Sequence, residues 1–235
     1  MAHALDNPIW NALTTEQAHL SVGDGRARVF QPEISVLAGV RERSAEAWHS
    51  LAGLAGQGTL GNFMVAEPGA APGFEQVLST PLLQMVQTGE APATSNPAKI
   101  LTMSAADVPE MAALVELTKP GPFSARTIEM GTYLGIRESG RLAAMAGERL
   151  HLPGYVEVSA VCTHPESAGK GYAAALMSTL IAGIRSRGET PFLHVRPDNA
   201  RAIALYRRLG FSDRKFLHLL VVRRQEASGT ASPTA

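Results

Sequence analysis

Residues 164–177 read HPESAGKGYAAALM, and this stretch decides how the rest of the chain is read. Two glycines, Gly169 and Gly171, stand at the entrance of an alanine-rich helix, directly after a run with strand character. The first amides of a helix have no intrahelical partners, and the aligned peptide dipoles add partial positive charge at that end. Glycine lets the backbone take positive φ and lets a ligand approach it closely. Together they form an anion nest of the kind that holds pyrophosphate, with Lys170 as an added cation. The plainer reading is a loop in which glycine only serves the turn.

Upstream of this turn the pattern predicts an antiparallel meander. Strands at Thr132 to Glu138 and Arg141 to Leu150 are joined by the hairpin signal Ser139-Gly140, and Leu152-Pro153-Gly154 leads into Tyr155 to Thr163. Downstream, a helix from about Gly171 to Arg187 carries Ala173, Leu176, Leu180 and Ile184 on one stripe. A strand at Pro191 to Val195, a helix from about Asn199 to Leu209 ended by Gly210, and a last strand at Phe211 to Arg224 complete the series. Before the meander, Lys99 to Met103 is a short strand, and Ser104-Ala105-Ala106-Asp107 is a loose capping box. It opens a helix carrying Met111, Leu114, Val115 and Leu117, which the Lys119-Pro120-Gly121-Pro122 stretch then breaks. A meander that feeds a strand–helix–strand unit needs a parallel, right-handed crossover. The expected class is therefore α/β with a mixed, mostly antiparallel sheet.

Residues 1–97 form a smaller α/β region by the same reading. Strands are expected at Ala27 to Phe30, Ile34 to Val40 and Phe63 to Ala66, with a helix at Ala45 to Ala55. This order faintly echoes the start of the second half, without a glycine turn or a capped final helix. Pro68 to Gly73 reads as a loop, and Gly89 to Pro97 (GEAPATSNP) as a stronger one, where the boundary with a domain spanning 98–225 is placed. Residues 226–235 lack apolar anchors and read as a tail.

Composition narrows the classes of function. Apolar residues make up 45% of the 235 and charged residues 18%, an ordinary globular balance. Twenty-one basic residues against twenty-one acidic ones create no global field for nucleic acid or anionic lipid, so neither partner is expected. The single Cys162 excludes an internal disulfide framework and a multi-cysteine zinc site. His151, His194 and His218 lack metal-like spacing, so no metal is expected. Cys162 reads as a small buried side chain and His164 as a turn residue. The opening residues lack a signal-peptide pattern, and no apolar run reaches the roughly 18 residues of a spanning helix. A cytoplasmic protein is the expectation.

Three nucleotide readings of the glycine turn compete. A Walker loop fails, because Gly171 follows Lys170 where Ser or Thr is required, and His164 occupies the first glycine position. A dinucleotide fingerprint is formally met by Gly169, Gly171 and Ala174, but residues 164–168 separate it from its strand, and Arg196 stands where an acid should follow the next strand. The third reading joins the turn to NARAIALYRRLGF (199–211). There Asn199 and Tyr206 lie seven residues apart on one helix face, about 10 Å along the axis, as suits an extended ligand with a phosphate end and a reactive end.

These paired segments, AVCTHPESAGKGYAAALM (160–177) and NARAIALYRRLGF, resemble the coenzyme A signature of the GNAT superfamily of N-acetyltransferases, over roughly Lys99 to Arg224. Of that family's Arg/Gln-x-x-Gly-x-Gly/Ala loop, Gly171 and Ala173 match the last two positions, while Ala168 replaces the opening Arg or Gln. The resemblance implies central strands that splay apart, and acetyl-CoA as cosubstrate. Pantetheine would pair with the backbone of Val161, Cys162 and Thr163. The pyrophosphate would lie on the amides of Gly169, Lys170, Gly171, Tyr172, Ala173 and Ala174. Asn199 would contact the cofactor arm besides capping its helix, and Tyr206 would protonate the departing thiolate. The activity implied is transfer of acetyl to a primary amine, on a small molecule or a peptide, directly within a ternary complex. Homodimer formation is left open.

The base is read from register. If the turn His151-Leu152-Pro153-Gly154 pairs Leu150 with Tyr155, Glu148 falls opposite Glu157, and facing carboxylates raise one another's pKa. Glu157 is then the candidate base, and Glu148 its partner or an acceptor-binding acid. In the competing reading Arg149 or Arg141 neutralises them, or the register slips. Two rival functions stand beside the transferase: a noncatalytic acetyl-CoA-binding regulatory module, suggested by Ala168, and an NAD(P)-dependent oxidoreductase.

Overall fold

A computed structural model describes residues 3–55, 59–64, 69, 71–90 and 98–225. In chain order its elements are α1 (Pro8–Thr14), β1 (Ser21–Gly23), β2 (Ala27–Phe30), β3 (Ala38–Val40), α2 (Ala45–Leu54), β4 (Thr59–Met64), β5 (Phe74–Gln87) and β6 (Ile100–Thr102). They continue with α3 (Val108–Thr118), β7 (Tyr133–Glu138), β8 (Arg141–Leu152), β9 (Tyr155–Thr163), α4 (Tyr172–Ser186), β10 (Thr190–Val195), α5 (Ala200–Arg208) and β11 (Phe211–Arg224).

Local chemistry explains the boundaries in the second half. The β7–β8 hairpin turns on Ser139 and Gly140, both with positive φ, as a two-residue loop of matching twist requires. The capping box forms as expected: the Ser104 amide donates to Asp107 at 2.9 Å, on a 3₁₀ turn that leads into α3. Gly210, at φ +83, closes α5. Glycine is needed there for space as well, since a Cβ would stand 2.9 Å from backbone atoms of residues 89 and 90.

The strands form an eight-stranded sheet in the order β4-β11-β5-β10-β9-β8-β7-β6, with β1, β2 and β3 in a separate three-stranded sheet. All neighbours in the large sheet are antiparallel except β9 and β10, the product of the α4 crossover. That parallel pair is short. Only Tyr155–Glu157 meets Thr190–Phe192, and beyond these residues the strands are unpaired with each other, so they splay. One face of the sheet packs on α4, through Leu176, Leu180, Ile181 and Ile184 against Ala144, Ala146, Val156 and Leu193. The α1 region covers the other face with Leu5, Ile9 and Leu13 over Leu150 and Phe192, and α3 adds Met111 and Leu114 beside Tyr133 and Met145.

The sheet takes strands from both sides of the expected boundary. β5 lies between β10 and β11 and is antiparallel to both. Pro81 in mid-segment hid it, since proline normally argues against a central strand. The structure tolerates it because β10 covers only Leu83–Val86, leaving Pro81 with β11 alone as a partner. α1 was equally silent in sequence, being seven residues long and opened by proline. β3 is shorter than expected: Ile34 and Leu37 are buried without being strand residues. Residues 65–66 of the strand expected at Phe63 to Ala66, the 91–97 part of the boundary loop and the 226–235 tail lie outside the described residues.

Candidate active site

β9 delivers the chain to a 3₁₀ turn at Pro165–Ser167, where the His164 ring accepts from the Glu166 amide at 3.3 Å, the turn role expected of it. Buried Ser167 donates to Glu138 at 2.7 Å, and Lys170 pairs with the other oxygen of that carboxylate. Lys170 is thus tied to β7 in this structure. The turn is held firmly while its backbone stays open: Gly169 and Gly171 take φ of +82 and +77, and Gly171 caps α4 without any side-chain hydrogen bond. Among the described residues, the amides of Gly169, Gly171, Tyr172, Ala173 and Ala174 have no hydrogen-bond acceptor. A Cβ added at Gly169 would meet nothing within 4 Å, so substitution there acts through φ alone. Gly169→Ala is expected to cost about 1–2 kcal/mol, read as a lowered melting temperature, and to weaken binding of any anion held by these amides.

Beside the turn, β9 carries a bulge. Gly147 pairs with Ser159 and Met145 with Cys162, so Ala160 and Val161 oppose Ala146 alone, and Ala160 takes φ +53. A bulge withdraws backbone groups from the ladder and re-aims them. It does so where β9 parts from β10, so backbone near Val161 faces the splay. Cys162 is buried, and burial pushes its thiol up to about 11, as befits a packing residue.

Across the splay, Asn199 caps α5 by accepting from the Ala202 amide at 3.1 Å. Tyr206 lies two turns further on, partly buried. It packs with Val161, Tyr172, Ala202 and Leu205 against one core cluster, and its ring is 6.2 Å from that of Phe211. Its hydroxyl has no hydrogen-bond partner among the described residues, and burial raises its pKa to about 12.

On the opposite face, the loop after α3 closes over a small pocket. Pro120, Pro122 and Phe123 line it together with Tyr133, Arg149 and the bulge residue Ala160. The N-terminal region braces that loop: Thr127 donates to the Ile34 carbonyl at 2.6 Å, and the Arg126 amide to that of Glu33 at 2.9 Å. Buried Gln17 donates to the carbonyls of Met130 and Arg149 at 3.0 and 2.7 Å.

A family model described as FR47-like protein matches residues 133–219, from β7 into β11. Along nearly its whole length the chain is similar to a solved protein from Novosphingobium aromaticivorans, assigned as an acetyltransferase of the GNAT family. The two share 38% identity over 96% of this chain and 100% of the other, with a TM-score of 0.88. This chain belongs to the GNAT family. A GCN5-related N-acetyltransferase from Kribbella flavida shares the fold at 20% identity, over 94% of this chain and 96% of its own, with a TM-score of 0.61. No curated protein matches.

In this GNAT protein the expected pairing of the two acids does not form. The β8–β9 turn is the two-residue Pro153-Gly154, which pairs Leu152 with Tyr155 and shifts the register by two residues. A second bulge, this time on β8, then sets Arg149 and Leu150 opposite Glu157, while Glu148 pairs with Val158. Arg149 therefore grips Glu157 with two hydrogen bonds, of 2.8 and 2.7 Å, and His194 lies 2.7 Å from the same carboxylate. Burial alone would raise the Glu157 pKa, but the charge and hydrogen bonds of Arg149, with His194, outweigh it and hold the group at about 2. A carboxylate so acidic is ill suited to take a proton from an ammonium near neutral pH. Glu148 is buried too and engages Arg187 at 2.8 Å, with the Thr132 amide at 3.2 Å. Of the expected residues, the structure gathers the turn amides, Val161 and Tyr206 around the splay, and sets the two acids apart with cationic partners. Arg149 was legible only as a possible neutraliser, and Gln84 and His194 carried no signal.

Proposed function

We propose that this protein transfers the acetyl group of acetyl-CoA to a primary amine, directly within a ternary complex. The observation that carries the reading is the set of amides of Gly169, Gly171, Tyr172, Ala173 and Ala174, partnerless among the described residues, opening beside the β9–β10 splay with Tyr206 on α5. Such amides suit a pyrophosphate, and the dipole of the 15-residue α4 favours negative charge at the same end. The backbone of Val161, Cys162 and Thr163 would pair with the pantetheine arm as an added strand, and Asn199 would border it. An amide at the bulge is suited to polarise the thioester carbonyl.

Tyr206 is the proposed proton donor to the departing thiolate. A phenol held near pKa 12 stays protonated at neutral pH, and its hydroxyl has no competing acceptor among the described residues. The acceptor nitrogen enters as the free amine, and no covalent intermediate on the protein is required.

Thiol release from acetyl-CoA, followed across a broad amine panel, tests the proposal. Release that depends on an added amine, with the acetylated amine as product, is the expected result. Ala168 favours the noncatalytic binding module as second reading. Acetyl-CoA binding without release for any amine would establish that module, and absence of binding would overturn both.

A further inference from the structure

We infer that Glu138 is a positioning residue for the cofactor, holding the turn between β9 and α4 in the shape that binds acetyl-CoA; the inference rests on the acetyl-CoA binding in the reading above. The turn meets two opposed demands. Amides that receive an anion must be left without partners, so those of Gly169, Gly171, Tyr172, Ala173 and Ala174 do nothing to hold the turn in place. Two of these residues are glycines, which have the most backbone freedom to lose. Without some other restraint, each binding event would carry the cost of ordering them.

Side chains supply the restraint. Ser167 and Lys170, on either side of Ala168 and Gly169, both reach Glu138, the last residue of β7. The Ser167 hydroxyl donates to one carboxylate oxygen at 2.7 Å, and the Lys170 ammonium pairs with the other. Ser167 is 1% exposed, and the hydroxyl of a residue so buried is costly to leave unmatched. Glu138 is itself well placed, because it pairs with Arg141 across the two-residue turn of the β7–β8 hairpin. Arg141 adds a weaker, exposed tie by donating to Glu166 at 2.7 Å. The hairpin end thus grips residues 166, 167 and 170. β8 and β9 stand between β7 and the splay, so the grip comes from the far side and leaves the open amides uncovered.

Charge alone argues the other way. Glu138 sets a carboxylate close to a turn that is to receive a pyrophosphate, and it offsets the charge of Lys170. If electrostatics decided affinity, removing that carboxylate would tighten the binding of an anion. If position decides it, removal weakens binding, because Ser167 loses its acceptor and the glycine turn gains freedom.

Titration calorimetry of the full chain with acetyl-CoA separates the two. Glu138→Ala is expected to raise the dissociation constant about fivefold or more, the scale of one or two lost hydrogen bonds. Its kcat at saturating acetyl-CoA is expected to change by less than about twofold, as when only ground-state binding is lost. Glu138→Gln keeps an acceptor for Ser167 and is expected to bind more tightly than Glu138→Ala. Ser167→Ala, which leaves the ion pair in place, is expected to weaken binding in the same direction, and it carries the test if Glu138→Ala does not fold. Unchanged or tighter binding by Glu138→Ala or Ser167→Ala, in a wild type that binds acetyl-CoA, overturns the inference and leaves the transferase reading intact. A wild-type protein that binds no acetyl-CoA overturns that reading, and this inference with it.

Discussion

Replacing Glu157 with glutamine is expected to destabilise the fold by about 3 kcal/mol, the scale of a broken buried ion pair. Arg149 would lose its counter-ion while remaining in the sheet, and His194 would lose its ionised partner. Urea melts of the single variant would show the loss, and Arg149→Met/Glu157→Gln should recover part of it, because no charge is then left uncompensated. The pH dependence follows from the sign of the shift. The carboxyl is held at about 2 in the folded protein against 4.5 as its ordinary value. Its contribution is therefore present above about pH 4.5 and is lost as the pH falls towards 2. The variant should accordingly lose the part of the acid transition that lies in this window. A Glu157→Gln protein of unchanged stability that had lost turnover would reinstate the acid as a catalytic base.

Tyr206→Phe is expected to separate activity from stability. The ring would keep its contacts with Phe211 and the core cluster, and the hydroxyl has no hydrogen bond among the described residues to forfeit. The melting temperature should stay within about a degree, since removing an unpartnered hydroxyl leaves nothing unsatisfied. Turnover should fall by at least about 10²-fold, the lower bound for a lost general acid, with acetyl-CoA affinity changed little. Such a split is hard to reconcile with a packing role. Equal turnover would remove the proton-donor assignment and leave Tyr206 as a packing residue.

The two acids show how far register can be read from a sequence. Pro153-Gly154 signals a turn without stating its length, and a four-residue turn is as compatible with the sequence as a two-residue one. Gly154 at φ +78 closes it in two. A β8 bulge then adds a residue that no local pattern announces, and Arg149 arrives opposite Glu157 where a second carboxylate was expected. The same limit hid β5, whose proline reads as a break until the neighbouring strand is seen to stop short of it.

By itself, the sequence determined the meander, the α4 crossover, the capped helices and the open glycine turn. Each of these is specified by residues a few positions apart: an apolar period, a cap, a glycine with positive φ. Only the tertiary structure decided that β5 completes the sheet, where the strands bulge, and that Arg149 rather than an acid faces the pocket. Strand pairing joins segments far apart in the chain, and one inserted residue turns a side chain to the other face.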